Sequence, residues 1–131
     1  MIKNVLFAAA LITLFSCNNE SKKIPTTDTE VATTFIRHVL DDNFVDAEAF
    51  VLKDEANMQS FERFKQSFEK KDAAELAQYK KADITINEIK NLGDSLRIID
   101  FNNSYKKEVK QKLKLVWVKD KWLVDLKYTF E

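Results

Sequence analysis

The sequence predicts an α+β fold, with N-terminal helices packed on a curved antiparallel sheet of about four strands. Three observations carry this. Between Pro25 and Gly93 there is neither glycine nor proline, and apolar residues there recur at helical spacing. After Asp83 the pattern changes to alternating runs typical of strands. Helices followed by strands is the order in which helices cover one face of an antiparallel sheet.

The elements follow in order. Thr27-Asp28-Thr29-Glu30 reads as a capping box, with Thr27 at the cap and Glu30 three residues on. Val31, Phe35, Ile36, Val39 and Leu40 then define an amphipathic helix over 28–41, which Asp41-Asp42-Asn43 ends. A short helix over 44–52 carries Phe44, Ala47, Phe50 and Val51. A third, over 55–71, places Met58, Phe61, Phe64 and Phe68 on one face, which reads as core rather than a ligand box. Asp72 can cap a fourth, over 73–81, with Leu76 and Tyr79 inward.

Ile84, Ile86 and Ile89 mark a first strand, and Asn91-Leu92-Gly93-Asp94 a turn in which Gly93 can supply a positive φ. Leu96–Phe101 is a second strand, followed by a loop at 102–104. From Lys106 to Val118 the chain alternates, with Leu113, Leu115 and Trp117 on one face and Lys110, Lys112 and Lys114 on the other. Trp122, Val124, Leu126, Tyr128 and Phe130 alternate in a last strand. The two apolar sets have opposite parity, so paired residue numbers must sum to an odd value and the connecting loop must hold an even number of residues. Asp120-Lys121 or the four residues 119–122 satisfy this, and the scarcity of glycine favours the longer loop.

Upstream of the domain, Lys3 precedes an apolar run, Val5–Phe15, that is too short to span a bilayer but suits an export signal. Leu14-Phe15-Ser16-Cys17 resembles the bacterial lipobox, with an aliphatic residue three before the cysteine and a small one directly before it. The resemblance implies diacylglycerol transfer to the Cys17 thiol and cleavage before it. The organisation expected is a signal over 1–16, a lipidated Cys17 with a flexible tether over 17–27, and one domain over 28–131. A ten-residue tether reaches at most about 35 Å, which keeps the domain near its membrane. Asn18 is not the Asp that favours inner-membrane retention in enteric bacteria, so an outer membrane is the better expectation.

Composition bounds the function. The 131 residues carry 21 basic and 21 acidic side chains, which gives no general attraction to nucleic acid. The two halves differ, at −5 over 24–83 and +3 over 84–131. One cysteine allows neither an internal disulfide nor a cysteine metal cluster, and one histidine allows no two-histidine site. Phosphate-binding, dinucleotide and hydrolase motifs are missing from the sequence, and no cofactor is expected.

Ala32-Thr33-Thr34-Phe35, continuing through Asp42-Asn43-Phe44-Val45-Asp46-Ala47, together with Val116–Val124, resembles the opening and the closing hairpin of the nuclear transport factor 2-like (cystatin-like) superfamily. The likeness covers about 28–131 and is closest to small bacterial lipoproteins. It implies a cone-like domain around a pocket. Members include isomerases, dehydratases, ligand binders and dimerisation modules, and fold alone does not choose among them.

Three functions follow as expectations. The first is a non-enzymatic envelope lipoprotein that binds a small apolar ligand or an envelope protein. The second is an isomerase or dehydratase using a pocket Asp with a Tyr. Asp100 shares a face with Leu96 and Ile98, and if that face is inner it is the candidate base, with Tyr79, Tyr105 or Tyr128 as partner. If Arg97, Ile99 and Phe101 are inner instead, Asp100 has no such role. The third is a dimerisation module pairing through Val116, Val118 and Leu123. His38 needs a carboxylate within about 3 Å to act as a base and otherwise reads as a surface histidine. Lys110, Lys112, Lys114 and Lys127 suggest a basic stripe, either solvated or meeting an anionic surface.

Overall fold

The computed structural model describes residues 23–127, so the expectations placed on the signal, Cys17, Tyr128 and Phe130 lie outside the described residues. The elements are α1 (Asp28–Leu40), α2 (Phe44–Glu48), α3 (Glu55–Glu69), α4 (Ala73–Lys81), β1 (Ile84–Asn91), β2 (Leu96–Asn103), β3 (Gln111–Val118) and β4 (Lys121–Asp125). The strands form an open antiparallel meander in chain order, and the helices pack on one of its faces, the expected α+β arrangement.

Capping matches the sequence signals. Thr27 Oγ1 accepts from Glu30 N at 3.2 Å, and the Glu30 carboxylate accepts from Thr26 N and Thr27 N at 3.0 and 3.2 Å. Asp72 caps α4 through Glu75 N, and Gly93 sits at φ 106. The hydrogen bond from Lys23, and then the two backbone N–H groups, hold the Glu30 carboxyl at about 2, below its ordinary 4.5. Asp54, the α3 cap, is held at about 2 by Lys127 first and then by Asn57 N. A depressed folded value means that the ionised form stabilises the fold. That contribution is whole above the unfolded value and is lost as pH falls through the folded one. The gap in urea midpoint between wild type and Glu30→Gln is therefore expected to hold from neutral pH to about 4.5 and to close by about 2. A gap that does not change with pH rejects this.

Five expectations need correction. β2 runs to Asn103, with Asn102 and Asn103 paired to Thr85 and Ile84, so the loop expected at 102–104 begins only at Ser104. The second helix stops at Glu48 rather than running to 52, because Phe50–Leu52 lies along β4: Val124 N donates to Phe50 O at 2.8 Å and Leu52 N to Val124 O at 2.9 Å. This covers an edge that would otherwise be open. β3 begins at Gln111, not 106, since Asn103 Oδ1 accepts from Tyr105 N and Lys106 N and folds 104–110 into a loop. β4 ends at Asp125, and the chain turns at Leu126-Lys127. The final hairpin keeps the expected parity, but its loop is Lys119-Asp120, with Val118 paired to Lys121. Both loop residues take left-handed φ, 50 and 63, the turn geometry that suits a twisted hairpin without glycine. This pairs Trp117 directly with Trp122, rings edge-to-face at 5.3 Å.

The core lies between the helices and the inner sheet face. Ile99, Leu113, Leu115 and Val124 are fully buried there, against Val31, Phe35, Ile36, Val39 and Leu40 of α1. Phe44 of α2 meets Phe61, Phe64 and Phe68 of α3 at centroid distances of 5.8, 5.9 and 5.6 Å. Arg37 fastens α4 by donating to Ala82 O, Tyr79 O and Lys80 O, the carbonyls at its C-terminal end.

A candidate ligand cavity between the helices and the sheet

Strand parity fixes the two faces. Ile99, Phe101 and Asn103 of β2 and Leu113 and Leu115 of β3 point toward the helices, so Leu96, Ile98 and Asp100 point away. Between the C-terminal half of α1, the aromatic face of α3, Tyr79 of α4 and the far ends of β2 and β3 the packing is incomplete. A cavity of about 210 Å³ remains there. Its walls are apolar, chiefly Phe35, Val39, Phe64, Phe68, Phe101 and Leu113. Its polar groups are Ser67 of α3, Lys71 just past the end of that helix, Tyr79, Asn103 and Gln111.

Each polar group owes its place to local chemistry. Ser67 stands about one turn beyond Phe64 on the same side of α3, and Lys71, past the helix end, is held near Phe68 because its backbone N–H donates to Phe68 O at 3.1 Å. Lys71 Nζ lies 3.6 Å from Glu75 Oε1 and 5.6 Å from the Tyr79 ring centroid. Tyr79 packs edge-on to Tyr105 at 5.0 Å. Burial first, and then the Glu75 charge, pushes its phenol above the ordinary 10.0, so the hydroxyl stays protonated and able to donate at neutral pH. Asn103 is buried, and its Oδ1 is occupied by Tyr105 N and Lys106 N, which leaves Nδ2 as the group it can offer a ligand. The set comprises one cation, shared with Glu75, four neutral donors (Ser67, Tyr79, Asn103 and Gln111) and the Gln111 carbonyl around an apolar hollow. Its chemistry is that of binding an apolar body with one polar or anionic end.

Asp100 is not gathered into this site. It lies on the outer sheet face, opposite Glu88 and Lys112, with Oδ1 buried and without a hydrogen-bond partner. The acid-plus-phenol pocket therefore does not form with Asp100, since Tyr79 and Tyr105 pack on the helix side. His38 stacks on Phe50 at 5.9 Å, and neither of its nitrogens hydrogen-bonds a carboxylate among the described residues. The basic stripe is interleaved with acids: Lys127 bonds Asp54 at 2.7 Å, Lys114 lies 3.4 Å from Asp125, and Lys112 stands opposite Asp100 in the strand register. Val116, Val118 and Leu123 share the outer face with Leu96 and Ile98. Among the described residues no group of His, Cys, Asp or Glu could hold a metal, and no helix is long and apolar enough to cross a membrane.

No motif in the sequence marks Ser67, Lys71, Asn103 and Gln111. Period was the available signal: Asn103 continues the inner set Ile99 and Phe101, Gln111 continues Leu113 and Leu115, and Ser67 and Lys71 follow Phe64 at helical steps. Compared with protein-family models, with curated proteins and with solved structures, the chain matches none.

Proposed function

We propose that this chain is a lipid-anchored envelope protein whose domain binds a small, mostly apolar ligand with one polar end. The observation that carries the reading is the cavity, with its aromatic walls and its rim of Lys71, Tyr79 and Asn103. At about 210 Å³ it exceeds the roughly 150 Å³ apolar hollow that holds benzene and falls short of the roughly 300 Å³ at which drug-sized pockets begin. A short acyl or aryl carboxylate fits that chemistry, its tail among the Phe side chains and its charge at Lys71. Helices followed by a meander support the cone-like superfamily likeness. The lipobox-like Leu14–Cys17 supports the anchor, with the outer membrane favoured by Asn18.

The test is native mass spectrometry of the full chain extracted from membranes. A bound small molecule is expected at near one-to-one stoichiometry, with its retention falling about tenfold in Lys71→Ala as a charge-assisted bond of about 1.4 kcal/mol is lost. Protein that is empty in every preparation rejects ligand binding. Cys17→Ser is expected to move the chain from the membrane fraction to the soluble fraction, and a variant that stays on the membrane rejects the anchor. A second reading rests on the outer sheet face. Leu96, Val116 and Val118 are half-buried there beside the buried Ile98 and Leu123, and it is this partly exposed apolar surface that would pair with a second copy or an envelope protein. Sedimentation of the same material separates monomer from dimer.

A further inference from the structure

We propose that the end of the domain carrying Trp117, Leu92 and Ile24 lies in the bilayer interface, so that the ligand cavity opens on the side away from the membrane. The proposal rests on lipid attachment at Cys17 and adds the orientation that the fold then imposes.

Thr27 caps α1, and Arg97 Nε bonds Asp28 Oδ2 at 3.0 Å, tying the first turn of α1 to the start of β2. The same guanidinium donates to Asn91 Oδ1 and Gly93 O in the β1–β2 turn, and it stacks over Trp122 at 4.7 Å. Trp122 in turn meets the ring of Trp117, whose backbone N–H donates to Ser95 O. These contacts gather the start of α1, the β1–β2 turn and the β3–β4 turn at one end of the domain.

That end displays apolar side chains that nothing among the described residues covers. Trp117 is 40% exposed, Leu92 56% and Ile24 79%. Lys90, Lys119 and Lys121 are exposed on the same turns, together with Asp94 and Asp120. Tryptophan settles at the boundary between headgroups and acyl chains, where neighbouring aliphatic side chains enter the same layer and the charged groups stay among the headgroups. The length of the N-terminal chain confines the geometry further. Only six residue steps separate Cys17 from Lys23, which span at most about 21 Å. An acylated Cys17 therefore holds this end, and not the opposite one, against the membrane. The opposite end carries the 104–110 loop, Asn103 and Gln111, and with them the polar rim of the cavity.

The experiment uses the full chain, acylated at Cys17 and reconstituted in phosphatidylcholine vesicles. Leu92→Cys and Val109→Cys are each labelled with a polarity-sensitive fluorophore. Both sites are exposed, they lie at opposite ends, and the native thiol is blocked by its lipid. In brominated lipid the label at 92 is expected to lose about half its emission and shift to the blue, with the label at 109 unchanged, as for a surface seated at the acyl boundary. Equal signals at both sites, or quenching at 109 alone, overturn the orientation while leaving the anchor standing. Mass analysis of the Cys17 peptide reads the anchor separately, and an unmodified Cys17 overturns both.

Discussion

Asn57→Ala is expected to cost about 3 kcal/mol, although the residue lies on a helix whose sequence marks it only as polar. Asn57 is fully buried. Its Oδ1 accepts from Leu126 N at 2.6 Å, and its Nδ2 donates to Asp54 Oδ2 at 3.0 Å. One amide thus joins the start of α3 to the end of β4, where the strand has left the ladder and Leu126 N has no sheet partner. Alanine leaves that N–H buried and unpaired, a cost of roughly 1–3 kcal/mol, and also removes the Asp54 bond. For a domain of this size the melting temperature should fall by roughly 10–20 °C. Asn57→Asp discriminates the mechanism. It keeps an acceptor for Leu126 but sets a second carboxylate against Asp54. Its deficit should therefore be large at neutral pH and shrink on acidification, as one proton comes to be shared by the pair. An alanine variant within about 0.5 kcal/mol of wild type would mean that water replaces the amide.

What the sequence made legible were the features set by local chemistry. The Thr27–Glu30 box, the Asp72 cap, the glycine turn and the apolar faces of α1 and α3 all depend on neighbours within one turn. The parity of the last hairpin was also readable, because a shift of one residue would turn Leu113, Leu115 and Val124 into water. A shift of two preserves parity, so sequence alone could not choose the Lys119-Asp120 turn. The contact between Trp117 and Trp122 and the twist of the hairpin offset the two left-handed residues. Phe50–Leu52 continues the helical spacing of its neighbours but takes its structure from β4, some seventy residues away. Asp100 was undecidable for a similar reason. Ile98 and Ile99 are both apolar and both buried, so β2 shows no clean alternation from which to pick the inner face.

Phe44→Ala should cost the domain about 4–5 kcal/mol of stability, because one ring meets three others. Phe44 is 3% exposed and makes edge contacts with Phe61, Phe64 and Phe68. Truncation opens a void of roughly a phenyl ring, and the helices around it are fixed by Arg37 and by the Asn43 cap, which limits collapse. The consequence for function is sharper in Phe44→Leu. Leucine fills much of the space, and the loss should be nearer 1.5 kcal/mol, leaving a folded domain. Phe64 and Phe68, however, are at once partners of Phe44 and walls of the cavity. Freed from the edge contacts, they gain rotamer freedom that a ligand must then remove, so affinity should fall about tenfold while the cavity keeps every polar group. Calorimetry on the purified chain separates the two effects: a melting temperature lowered by several degrees together with weakened ligand retention is the expected result. Unchanged retention in a destabilised Phe44→Leu variant would mean that the aromatic cluster supports the fold alone and that the walls of the cavity are set by the sheet.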